Sequence, residues 1–87
     1  GDGAYEFIDK DNAYLIVSFT NNVYSLYPLP YTGKSSEIVI QNDQNTGAFI
    51  NPAGLDDNLD ILYADGTIPE TSSTATVYQI ARYKNIT

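Results

Sequence analysis

Turn-forming residues, together with polar loops at Tyr31 to Ser36 and Thr67 to Thr74, break this chain so often that no segment between them is long enough for more than a short strand. Asp9-Lys10-Asp11-Asn12, Thr20-Asn21-Asn22, Asp43-Gln44-Asn45-Thr46-Gly47, the stretch 52–58 and Asp65-Gly66 mark five such breaks. Asn, Asp and Gly suit them because they tolerate the left-handed region or, for Asn and Asp, bond to nearby backbone. The intervening segments are rich in β-branched and aromatic residues, eight tyrosines included, and show no helical period. The expected strands are Ala4 to Ile8, Ala13 to Phe19, Val23 to Leu29, Ile38 to Gln41, Ala48 to Ile50, Leu59 to Tyr63 and Ala75 to Tyr83. The expected fold is therefore all-β, a small antiparallel β-sandwich or β-prism of about seven strands in one domain spanning residues 1–87. The pair flanking Thr20-Asn21-Asn22 is the clearest hairpin, and Pro28 and Pro30 end its second strand or place it at an edge.

Two strands are apolar on both faces. In the segment from Ala13 to Phe19, the alternation sets Ala13, Leu15, Val17 and Phe19 toward a core, leaving Tyr14, Ile16 and Ser18 on the other side. In the last strand, Val77, Ala81 and Tyr83 oppose Tyr78 and Ile80. Central strands and half-exposed tyrosines account for such a pattern. So does burial against other copies of the chain, with Tyr14, Ile16, Tyr78 and Ile80 at the interface. Eighty-seven residues bury little surface, and with no cysteine no disulfide adds to it. An obligate trimer relieves that deficit.

The residue inventory narrows function by exclusion. There is no histidine, cysteine, methionine or tryptophan, so the usual neutral-pH base, thiolate chemistry and the commonest transition-metal ligand are missing. Paired carboxylates alone can run a glycosidase, but such a site needs a cleft that a domain this small rarely builds. A non-enzymatic role is expected. Eleven acids against four bases give a net charge of −7, which repels phosphate backbones and anionic membranes, so no nucleic acid is expected as a partner. Apolar runs such as Leu15-Ile16-Val17 are too short to insert in a membrane. Without an initiating methionine, the chain is expected to be an internal or processed piece of a longer protein.

Three groups of residues carry candidate chemistry. Asp56, Asp57 and Asp60 space oxygen ligands as a calcium loop does, but Ile61 and Thr67 stand where an EF-hand needs Gly and Glu. A looser calcium site and ordinary solvated turn residues both fit, and no other cofactor is expected; Asp9, Asp11 and Asn12 carry the same ambiguity. Tyr24, Tyr27 and Tyr31 cluster around Leu29-Pro30. Their rings either pack in a core or offer flat faces and hydroxyls to a glycan. Arg82 and Lys84 hold half the positive charge; they either guard a strand edge or pair across an interface with acids such as Glu37 or Asp60. Asn85-Ile86-Thr87 has the form of an N-glycosylation sequon, a pattern short enough to arise by chance.

One stretch is more specific. From Tyr14 to Gly54 the chain runs through a Tyr-led strand, a strand ending in Leu29-Pro30 and a Gly33-Lys34 turn. It continues through Ile38-Val39-Ile40-Gln41-Asn42 to a segment ending in Asn51-Pro52-Ala53-Gly54. This order resembles the β domains of bacteriophage tail fibres, head fibres and related appendages. With Ala75 to Tyr83 as the final strand, the likeness covers about two-thirds of the chain; the terminal aromatic, often Trp, that many such domains carry is absent. The resemblance implies a homotrimer at the virion surface or outside the cell, with a host-surface glycan or protein as partner. Alternatives are a structural head-fibre or decoration module that contacts capsid or tail proteins, and a monomeric Ig-like or carbohydrate-binding module of a secreted bacterial protein.

Overall fold

A computed structural model of the chain describes residues 5–87. Seven strands form two antiparallel sheets. The first sheet is a meander of β1 (Glu6–Ile8), β2 (Tyr14–Ser18), β3 (Asn22–Pro28) and β4 (Ile38–Asp43), in that spatial order. The second is a meander of β5 (Ala53–Asp56), β6 (Ile61–Asp65) and β7 (Ile80–Tyr83). The only helical element among the described residues is a 3-10 turn, Lys34–Ser36, before β4. The all-β expectation holds at this level.

Local chemistry explains where the strands stop. The buried Asp9 carboxylate accepts the backbone N–H groups of Asp11 and Ala13 at 3.3 and 3.2 Å, while Asn12 turns the chain at φ 58°. Asn21 turns the β2–β3 hairpin at φ 54°, the conformation Asn tolerates best among non-glycine residues. Beyond Pro28 the chain leaves the ladder through the cis Leu29–Pro30 peptide.

Strand polarity differs from the expectation. Tyr14 and Ile16 face inward, 3% and 0% exposed, and share one core with Tyr24 and Leu26 of β3, Leu62 and Ala64 of β6, and Ile86. Leu15 and Val17 lie on the outer face of the first sheet. Both sets are apolar, so alternation alone could not assign the phase. The second sheet decides it: Tyr14 reaches across to donate its hydroxyl to Asp60 Oδ1 at 2.6 Å. Tyr14 and Ile16 therefore belong to the chain's own interior and have no side-chain surface for another copy. Tyr78 and Ile80 remain 83% and 72% exposed, while Ala81 and Tyr83 face inward opposite Ala64 and Leu62.

Strand boundaries also move. The strand expected at Leu59 to Tyr63 runs instead from Ile61 to Asp65, as β6. Ala4 lies outside the described residues, and β1 is the short piece Glu6–Ile8. Ala48 to Ile50 is not a strand; Phe49 and Ile50 bulge into solvent, and β5 forms instead at Ala53–Asp56, where a turn was expected. The cause is Asn51, whose side chain points inward and whose Oδ1 takes the Ala48 N–H at 2.8 Å, holding 48–51 in a turn. The final strand is regular only from Ile80. Ahead of it, residues 66–79 form an irregular hairpin arm, held by Gly66 N–H to Gln79 O, the Ile68–Val77 bridge and a turn at Thr71–Thr74. The molecule measures 46 × 25 × 19 Å, and its 13.6 Å radius of gyration exceeds the roughly 12 Å of a compact 87-residue domain.

Candidate interaction surfaces

The buried polar centre comes first, because it settles which side chains are spent on structure. Asn51 Nδ2 donates to Asn22 Oδ1 at 2.9 Å and to the Asp65 carbonyl at 2.7 Å. Asn22 Nδ2 donates to the same carbonyl at 3.0 Å and to Thr46 Oγ1 at 2.8 Å. The Tyr24 hydroxyl donates to Asn22 Oδ1 at 3.1 Å. These bonds tie β3 of one sheet to the end of β6 in the other. No buried side-chain polar atom among the described residues lacks a partner. Tyr24, 0% exposed and packed on Tyr83 with ring centroids 5.8 Å apart, is thus a core residue and offers no face to a glycan. Neither amide was expected to matter. The Asn51-Pro52 pair was the available signal, since an Asn just before a proline sits where the chain must turn.

Of the tyrosine trio, Tyr27 and Tyr31 do meet, edge to face at 5.6 Å, with Tyr27 buried and Tyr31 58% exposed. Beneath them Glu37 accepts the Ser25 hydroxyl at 2.5 Å and the Tyr27 hydroxyl at 3.3 Å through the same oxygen. An open groove of about 390 Å³ starts at Ser25 and Glu37 and runs between Val23 and Val39 toward Asn42 and Gln44. Of the three, only Tyr31 is mostly exposed; it packs on Tyr27 and is not part of the groove lining.

The acids are committed one by one to turns. Asp56 Oδ1 accepts the N–H groups of Asn58 and Leu59, Asp57 Oδ2 accepts Lys10 N–H at 3.0 Å, and Asp60 holds Tyr14. Among the described residues no group of three acidic side chains is arranged to hold a metal ion. Spatially, the Asp9–Asn12 and Asp56–Asp60 turns line one hollow, and Lys10 bridges them by donating its ammonium to Asn58 Oδ1. At the other end of the chain Asn85 turns at φ 55° and Ile86 enters the core, 6% exposed. The sequon-like triplet thus contains a packing residue. No helix among the described residues is long and apolar enough to cross a membrane. Comparison with protein-family models, curated proteins and solved structures finds no match to the chain.

Burial raises the hydroxyl pKa of Tyr14, Tyr24, Tyr27 and Tyr83; for Tyr14 the bond to Asp60 adds to it, and for Tyr27 the Glu37 charge does. A raised folded value stabilises the fold fully below the unfolded value of about 10, and that contribution is lost as pH climbs through the raised values. Absorbance at 295 nm should therefore show a late class of tyrosines that titrates together with loss of the β circular-dichroism signal. A single simple titration near pH 10 with the fold intact would contradict this.

Proposed function

We propose that this chain is a non-enzymatic, self-associating module of a viral fibre or appendage, a homotrimer at the virion surface or outside the cell, that attaches to a host surface. The observation that carries the reading is the balance of apolar residues. Among the described residues, thirteen large apolar side chains are exposed, from Tyr5 to Ile80, against nine buried hydrophobic ones. Scattered exposed apolar residues are ordinary, but an excess over the core is the pattern of a surface meant for covering. A core this small also leaves little stability in isolation, and each large side chain fully buried between copies contributes about 1.5–3 kcal/mol. The groove lined by Phe19, Glu37, Asn42 and Gln44 combines an aromatic ring, a carboxylate and amides, side chains that suit a glycan. Tyr31 stands exposed on Tyr27, whose hydroxyl bonds to Glu37. Three linked sites would convert a weak contact into useful avidity.

Light scattering at low micromolar concentration is the direct test, with a mass near three times the 9.6 kDa chain expected. The same sample, applied to a panel of immobilised glycans, should bind at least one class. A mass of one chain at every concentration would remove self-association, and an oligomer that binds no glycan or host cell would leave a structural module.

A further inference from the structure

Each of the two sheets ends in an edge strand on the same side of the molecule. Ile38, Val39 and Ile40 of β4 and Arg82 and Tyr83 of β7 line one groove of about 330 Å³ between them. The four sheet edges are not alike. β1 has three residues and β5 four, with Gly54 and Asp56 inside it; shortness and polar content are ordinary ways to discourage further pairing. β4 has six residues and neither proline nor lysine, with Ile38 and Val39 49% and 58% exposed. At its far end the Asn42 N–H is taken by the Gln41 side chain at 3.0 Å. A bulge at Ile40, where the register with β3 shifts between Tyr24 and Ser25, interrupts the strand before that point. The open stretch is therefore the N-terminal half of β4, where the exposed Ile38 and Val39 form a short apolar edge able to accept a strand.

We infer that this edge is filled by β7 of a second copy, paired antiparallel to β4 in the register that sets Val39 opposite Ile80 and Glu37 opposite Arg82. The face assignments select that register. Val39 lies opposite Ser25 and Glu37 bonds to Ser25 and Tyr27, so both stand on the outer face of the first sheet. Ile80 and Arg82 stand on the outer face of the second, because their neighbours Ala81 and Tyr83 face the core. Joining the two edges inner face to inner face puts Val39 and Glu37 alongside Ile80 and Arg82 of the second copy. Antiparallel pairing then matches the apolar pair and the ion pair at once; parallel pairing of Val39 with Ile80 sets Glu37 beside Tyr78 and leaves the charge unmatched. On the inner face, Ile38 meets Ala81.

Charge selects the occupant as well. A chain of net charge −7 repels its own copies over most of its surface, and Arg82 and Lys84, two of its four bases, sit in and just after β7. Opposite-charge pairs across strands stabilise a ladder and like pairs oppose it. A second β4 in the same place would bring the acids at its two ends, Glu37 and Asp43, toward each other. Ile80, 72% exposed in the single chain, acquires a neighbour. This interface rests on the self-association proposed above but not on its stoichiometry.

The chain has no cysteine, so a cross-link reads out the register directly. Directly opposed residues in an antiparallel ladder have Cα atoms about 4.5–5.5 Å apart, within reach of a disulfide. Chains carrying Val39→Cys are mixed with chains carrying Ile80→Cys and oxidised; the mixture should give a covalent pair in several-fold higher yield than either variant alone. Arg82→Glu should weaken association about tenfold, and adding Glu37→Arg should restore it, with circular dichroism confirming that each variant is folded. An oligomeric wild type whose mixed variants cross-link no better than the single ones would overturn the interface and leave self-association standing. A wild type monomeric at its highest soluble concentration would overturn both.

Discussion

Replacing Asn51 with alanine should lower the unfolding free energy by about 3 kcal/mol, a large part of what a domain of this size has. The residue is 2% exposed, and its amide holds Asn22, the Asp65 carbonyl and the Ala48 N–H together. Alanine removes the two donors and the acceptor but leaves their partners behind. The Ala48 N–H loses its acceptor, and a space forms where the two sheets meet. Buried networks of this kind cost more to break than to lack, because each abandoned group keeps its desolvation penalty. At about 4–8 °C per kcal/mol for a chain of this length, the midpoint of thermal unfolding should fall by roughly 12–24 °C. A fall of only a degree or two would mean that the loop at 47–52 does not pin the sheets.

Gly47→Ala should be nearly as damaging, by a different route. Gly47 has φ 71°, and a Cβ there would stand 2.6 Å from Asn51 Cγ and 2.7 Å from its Nδ2. The left-handed backbone alone costs an L-residue about 1–2 kcal/mol, and displacing Asn51 should bring the total to about 3 kcal/mol. The two substitutions act on one contact and must not add. In the Asn51→Ala background, Gly47→Ala should cost only the backbone part, so a double-mutant cycle should show a coupling of about 1–2 kcal/mol. Chemical denaturation of the four proteins measures it, and strict additivity would place Asn51 elsewhere.

These two positions also mark the limit of what the residue pattern could disclose. The polar turns at Asp9–Asn12 and Asn21 and the β2–β3 hairpin were legible, because turn residues and alternation act locally. Asn51 was visible only as part of an Asn-Pro-Ala-Gly motif, and nothing local says that its side chain turns inward. The strand expected at Ala48 to Ile50 failed for that reason: its apolar residues look like a strand, but the Asn51 amide satisfies the backbone first. The candidate surface divided likewise. The exposed Tyr31 and the charges of the proposed Arg82–Glu37 pairing were within reach of residue chemistry, whereas the outer groove and the open β4 edge required knowing which strands lie last in their sheets.

What the residues determined by themselves is the kind of fold: short strands, tight antiparallel connections, no helix of consequence, and no histidine or cysteine to carry chemistry. Those follow from backbone preference and side-chain inventory, which act within a few residues of chain. What only the tertiary structure decided is the phase of β2. Tyr14-Leu15-Ile16-Val17 is apolar on both faces, so either set can be buried at similar local cost. The second sheet breaks the tie, with Asp60 receiving the Tyr14 hydroxyl and Leu62 and Ala64 closing over the inward set. The outward apolar residues and the β4 edge then remain open to a partner.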